Sequence, residues 1–215
     1  MTTLTMPPPA LPRETRAPRY SPDDLLIMPE GERYELVNGQ LVEKPMSVLS
    51  SWVGLEAGAR LRNFVVEHEL GYVFGSDCGY QCFPDAPAKV RKPDASFVAR
   101  HKLPQGLMDG HLRVPPDLAV EVASPNDSFR DVDEKVEEYL AAGVRSVWLI
   151  NPRLRVLQVF HPNTHVLRLH DNDELREPEI LPGFVCRVSD LLPPPSAASD
   201  ISPASESGEG QPQPS

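Results

Sequence analysis

The run Leu118-Ala119-Val120-Glu121-Val122 is apolar at every position but one. A strand with one wet face alternates apolar and polar residues, so a continuous apolar run marks a strand covered on both faces. That requires a sheet layered between helices, an α/β arrangement. The exception poses a chemical problem, because a carboxylate inside such a strand is costly unless something compensates its charge. A second acid, Asp94, lies in Arg91-Lys92-Pro93-Asp94-Ala95-Ser96-Phe97-Val98, at the head of another apolar run. Alone, a Pro-Asp pair is ordinary turn chemistry. Glu121 is harder to dismiss: it needs either an ion pair with a buried cation or a metal ion, and a divalent cation between the two acids would serve both.

The rest of the pattern supports a mixed sheet. Ser21-Pro22-Asp23-Asp24 has the cap, first-turn proline and acids of a helix start. Tyr34-Glu35-Leu36-Val37 and Gln40-Leu41-Val42-Glu43 flank Asn38-Gly39, a strong hairpin signal because both turn residues tolerate positive φ. Residues 50–70 carry Val53, Ala57, Leu61, Phe64 and Val65 at helical spacing, with Gly71 as the expected stop. Strands are expected at 72–74, 79–83, 95–99, 118–122 and 147–150, with a last hairpin formed by 156–160 and 165–169 around Pro162-Asn163. Between them, residues 127–142 read as a second main helix, with Val132, Val136, Tyr139 and Leu140 as its buried stripe, Asn126-Asp127-Ser128 as its cap and Gly143 as its end.

Proline is concentrated at the termini. Residues 1–19 are rich in Pro and residues 193–215 in Pro, Ser, Gly and Glu, and neither has the apolar density to pack, so they are expected to be disordered tails around one domain over 20–192. The formal net charge of -10 belongs almost wholly to that domain. A protein that coats nucleic acid nonspecifically is usually basic, so sequence-blind binding by the monomer is disfavoured. An acidic site with a local basic rim is still open, and Lys89, Arg91 and Lys92 are candidates for the rim. Three cysteines and no signal-like start suggest free thiols in a reducing cytoplasm. No stretch approaches the ~18 apolar residues of a membrane span.

The second helix supplies a cation. Lys135 and Tyr139 are four residues apart and share a face, so the order is acid, acid, then Lys and Tyr on the following helix. A lone lysine there would read as part of a solvated face; the combination is what points to a site. Cys78, Cys82, His161 and His165 could imitate a zinc set, but the pairs are far apart and a strand cysteine is usually packing. No glycine-rich phosphate loop or nucleophile elbow is present.

These motifs, in this order, resemble the Uma-two family of restriction-endonuclease-like proteins, within the PD-(D/E)XK nuclease superfamily. The resemblance runs from Tyr34-Glu35-Leu36-Val37-Asn38-Gly39 to Leu181-Pro182-Gly183-Phe184. It includes Lys92-Pro93-Asp94, Pro115-Pro116-Asp117-Leu118 with Glu121-Val122-Ala123-Ser124-Pro125, Lys135 through Tyr139, and Ala142-Gly143-Val144 with Val147-Trp148-Leu149. It implies a restriction-endonuclease-like fold, a mixed central sheet flanked by helices with an N-terminal hairpin. It implies a Mg²⁺-dependent endonuclease that hydrolyses DNA phosphodiesters, with Mn²⁺ able to substitute. Asp94, Glu121 and the main-chain carbonyl of Val122 would hold the metal. Lys135 would orient or help deprotonate the attacking water and stabilise charge on the phosphate. Glu35 would assist metal or water placement, and Tyr139 would support the site or contact substrate.

The chain departs from the superfamily pattern at Ala123, where the lysine two residues after the second acid normally stands; the family pattern moves it to Lys135. The family's histidine at the start of the long helix is also missing from Leu49-Ser50-Ser51-Trp52. A twofold dimer is the expected assembly for a double-strand cutter. The acidic domain and displaced lysine keep a second reading open, a catalytically inactive nuclease-fold module with a binding or regulatory role.

Overall fold

A computed structural model describes residues 19–45, 47–124 and 127–195, with the side chain of Phe129 left aside. The two segments expected to be tails lie outside this range, apart from Arg19 and residues 193–195. The chain opens with α1 (Pro22–Ile27), whose N-cap is a capping box between Ser21 and Asp24. The hairpin β1 (Tyr34–Val37) and β2 (Gln40–Glu43) follows, turning through Asn38 at φ 54° and Gly39 at φ 79°. Helix α2 (Val48–Glu67) comes next, then β3 (Gly71–Gly75) and β4 (Ala95–Ala99). The unit β5 (Leu118–Val122), α3 (Phe129–Ala141) and β6 (Ser146–Asn151) leads to β7 (Val156–Phe160) and β8 (Leu167–His170). A small pair, β9 (Glu174–Arg176) and β10 (Val185–Arg187), ends the fold.

Strands β3 to β8 form one six-stranded sheet in chain order. Only β5 and β6 pair in parallel; the other neighbours are antiparallel. Parallel neighbours need a crossover, and α3 provides it. The two faces of β5 then meet different layers. Leu118, Val120 and Val122 pack with Val53, Ala57, Leu61 and Val65 of α2. Ala119 packs on the other face with Val136 and Tyr139 of α3. Side chains alternate along a strand, so Glu121 shares the face of Ala119 and points toward α3. All of β5 is buried, as its apolar run required.

Two sequence expectations are corrected and the expected cap of α3 is located. Residues 79–83 do not form a strand; Tyr80 alone makes bridges, to Arg91 and to Leu112. Its ring is buried and its hydroxyl pairs with Ser96 at 2.7 Å, while Phe83 packs separately against Tyr139, so the apolar residues of this run are separate packing anchors. Helix α2 ends at Glu67, and the chain reverses through Glu69 at φ 54°, while Gly71 is the first residue of β3. The cap of α3 is Ser128, whose hydroxyl accepts from the Asp131 amide at 3.1 Å; Asn126 lies outside the described residues. Among the described residues, no helix is long and apolar enough to cross a membrane.

Candidate functional site

The residues singled out in the sequence converge where the hairpin, the β4–β5 edge and α3 meet. The hairpin is fixed to the body by reciprocal backbone hydrogen bonds between Leu36 and Val90. This seats Glu35 beside Arg91 and Lys92. Its carboxylate is 2% exposed and accepts from the Lys92 amide at 2.7 Å and from Arg91 Nη1 at 2.9 Å. Lys135 Nζ lies 3.4 Å from the same carboxylate and 3.3 Å from Glu121 Oε2. The Tyr139 hydroxyl donates to Glu121 Oε1 at 2.8 Å. The displaced lysine therefore does return to the second acid, from one helical turn before Tyr139.

Asp94 reaches the same place from β4. The register pairs Ala95 with Val120, and the Asp94 amide donates to the Val120 carbonyl at 2.9 Å. Asp94 itself stands just before β4, beside the end of β5 that carries Glu121 and Val122. Its Oδ2 accepts from the Val122 amide at 2.8 Å, and its Oδ1 lies 3.2 Å from Lys44 Nζ. Helix α2 comes very near here: a Cβ added at Gly54 would meet the Asp94 Cβ at 3.3 Å. Val122 thus enters the observed site through its N–H, which pins Asp94.

Glu35 and Glu121 share Lys135 but differ in their acidity. Burial works to raise the pKa of Glu35, but Lys135, Arg91 and the Lys92 amide outweigh it and hold it at about 2. For Glu121 burial prevails: with Asp94 and Glu35 adding repulsion and Lys135 and Lys44 not offsetting them, its pKa is pushed up to about 7. Glu121 is a buried carboxylate short of positive charge. Burial opposes the charge on Lys135, but Glu121 and Glu35 together raise its pKa above the ordinary range, so it carries its proton at neutral pH. Tyr139 is raised well above the ordinary phenol by burial and by Glu121, and stays neutral.

Lys89, Arg91 and Lys92 do not form the exposed basic rim expected of them; all three are buried. Lys89 and Arg91 bind Glu138 of α3, and the Lys92 ammonium donates to the Gly31 carbonyl at 2.7 Å. The sequence does not show that acids from β1 and α3 close over these cations. Tyr139 is fully buried and its hydroxyl is spent on Glu121, so it is not placed to touch substrate. The zinc set does not assemble either. Burial raises Cys78 and Cys82 to about 11 and about 12, so they stay thiols, while His161 pairs with Glu177 at 3.0 Å and His165 is exposed.

The site opens into a cleft of about 380 Å³ that Glu35, Lys44, Arg91, Glu121 and Lys135 help to line. Glu43, Asp131 and Glu134 line it too, and all three are exposed. Sequence reasoning missed Lys44 and Glu138. Glu138 was findable, since it lies one helical step from Lys135 on the same side of α3. Lys44, just past a hairpin strand, carries no such signal.

Among the described residues, no group of three or more Asp, Glu, His or Cys side chains is gathered to hold a metal. Mg²⁺ does not require one. It keeps several waters and is commonly bound through one or two carboxylates together with substrate phosphates. Asp94 and Glu121 are two hard oxygen donors, close enough for Asp94 to raise the pKa of an undercompensated Glu121, and that donor chemistry fits the requirement.

Comparison with known proteins bears on the family and the fold. The Uma-two (Uma2) family model, described as "Putative restriction endonuclease", matches residues 22–189. The chain is also similar to a solved structure of a "putative nuclease belonging to DUF820" from Anabaena variabilis, with a TM-score of 0.69 at 21% identity, covering 80% of this chain and 96% of that one. At that identity the likeness shows a shared fold. No curated protein matches the chain. With the family model spanning nearly the whole described domain, the chain belongs to the Uma2 family.

Proposed function

We propose that the chain is a metal-dependent endonuclease that hydrolyses DNA phosphodiester bonds. The observation that carries this reading is Glu121, a carboxylate buried in the central sheet and left short of positive charge beside Asp94. Asp94 and Glu121 would hold Mg²⁺ or Mn²⁺, with the Val122 carbonyl as a further ligand. When bound, the metal would lower the pKa of a coordinated water and stabilise charge on the phosphoryl oxygens.

The chain's own residues then have distinct tasks. Lys135 keeps its proton, so it serves as a charged donor to the water or to a phosphate oxygen and not as a base. Glu35 fixes the Lys135 ammonium, and Tyr139 fixes the Glu121 carboxylate. A twofold dimer would present two such sites to a duplex.

Metal binding is expected to depend on pH. Glu121 has a folded-state pKa of about 7, above its ordinary 4.5, so below pH 7 an entering metal must displace a proton. Mn²⁺ affinity should rise with pH through about 7 and then level off. Calorimetry at pH 6 in two buffers of different ionisation enthalpy should show release of close to one proton, falling toward none at about pH 8. Affinity that is flat across this range would count against Glu121 as the ligand. Without metal the raised Glu121 costs the fold stability as pH rises from 4.5 to about 7. Glu35, lowered to about 2, contributes stability that is present above 4.5 and lost as pH falls toward about 2.

One observation favours a non-catalytic nuclease-fold module: the acids of the site already have internal partners, and exposed acids stand at the cleft. Calorimetric titration separates the readings, since that module requires no Mn²⁺ binding at millimolar concentration. Metal binding without DNA cleavage would redirect the search to RNA or to structured DNA.

A further inference from the structure

With Glu121 counted as ionised, as a metal ligand must be, the ion-pair network at the site is balanced in number before any metal enters. Glu35, Asp94, Glu121 and Glu138 supply the negative charge, and Lys44, Lys89, Arg91 and Lys135 the positive. A divalent cation added to this set would leave two uncompensated positive charges in a mostly buried cluster, which is costly. Either a cation withdraws or an anion arrives with the metal.

The cations are not equally able to withdraw. Arg91 bridges Glu35 and Glu138, and Lys135 bridges Glu35 and Glu121. Lys89 pairs with Glu138, which is no part of the metal pair. Among the described residues, Lys44 has one carboxylate partner, Asp94, itself a proposed metal ligand. Its other bond, to the Lys92 main-chain carbonyl at 2.6 Å, does not depend on Asp94. Its stem starts just beyond β2, and it lines the cleft.

We propose that Lys44 is a displaceable counter-ion of the metal site: it neutralises Asp94 in the metal-free protein and yields that carboxylate to the incoming divalent cation. Held by Lys92, the released ammonium stays in the cleft as a cation for the phosphodiester. Metal and phosphate binding are thereby coupled, which suits a cleft whose exposed edge is acidic. The inference rests on the metal-dependent reading above and makes Lys44 a counter-ion first to Asp94 and then to the phosphate.

The test needs no cleavage assay. MnCl2 is titrated calorimetrically into the full chain and into its Lys44→Met and Lys44→Arg variants, each checked for folding by circular dichroism. Lys44→Met should bind Mn²⁺ about tenfold more tightly than the parent, because a competing charge at contact distance has been removed. Lys44→Arg keeps the charge and should bind no more tightly than the parent. A residue that only packed the site would weaken binding when replaced. Acetic anhydride labelling of the unmodified chain, read by mass spectrometry, supplies a second measurement should a variant fail to fold. Saturating Mn²⁺ should make Lys44 several-fold more reactive. Parent binding that Lys44→Met leaves equal or weaker, or labelling that Mn²⁺ leaves unchanged or slows, would overturn the role of Lys44 alone. Absence of Mn²⁺ binding to parent and variant alike would overturn the metal reading and this inference with it.

Discussion

Glu35→Ala is expected to be the most destabilising single change at the site, costing about 3–5 kcal/mol, the range for breaking a buried pair by removing one partner. The carboxylate accepts from Arg91 and from the Lys92 amide and faces Lys135. Its loss leaves a buried guanidinium undercompensated and a buried amide unsatisfied. The lower end of the range applies, because Arg91 keeps Glu138 and Lys135 keeps Glu121. For a domain of this size that is roughly a 6–12 °C fall in Tm. Glu43→Ala is the control. Its pair with Arg33 is exposed on both sides, and such pairs contribute about 0–1 kcal/mol. Thermal melts of the two variants measure the contrast, and comparable losses would mean that the buried network is not what anchors the hairpin.

Lys135→Met is expected to have the largest effect on rate with the fold retained. It removes the only cation on Glu121 among the described residues. Mn²⁺ affinity should hold or rise, because a charge competing with the metal has gone. Turnover should fall by about 10²–10⁴-fold, the range for losing a positioned donor or proton-transfer group. The split between tighter metal binding and slower cleavage is the diagnostic result. If affinity and turnover fell together, Lys135 would be holding the site in shape and not acting on the phosphate.

Much of this could be read before the structure because the signals were local. Asn38-Gly39 specified its hairpin through two positive-φ positions, and the apolar run of β5 required helices on both faces. Glu121 stood out because nothing else in its strand is charged. What could not be read is long-range. Lys89, Arg91 and Lys92 look like a basic patch in sequence, yet Glu35 and Glu138 arrive from β1 and α3 to pair with two of them. Residues 79–83 look like a strand because they carry aromatic and apolar side chains, yet only Tyr80 among them is bridged, and to distant residues. Lys44 reads as an ordinary surface lysine until the hairpin folds over Asp94. Lys135 was recoverable because it shares a helix face with Tyr139 and both follow Glu121 within one βαβ unit.

The account depends on Asp94 and Glu121 forming one metal-dependent hydrolytic site. The most direct measurement is cleavage of supercoiled plasmid by the purified full chain with Mg²⁺ or Mn²⁺, set beside Asp94→Ala and a chelator control. The account predicts nicked or linear product with the parent protein, dependent on metal, and loss of product in the variant. Equal cleavage by parent and Asp94→Ala would contradict it.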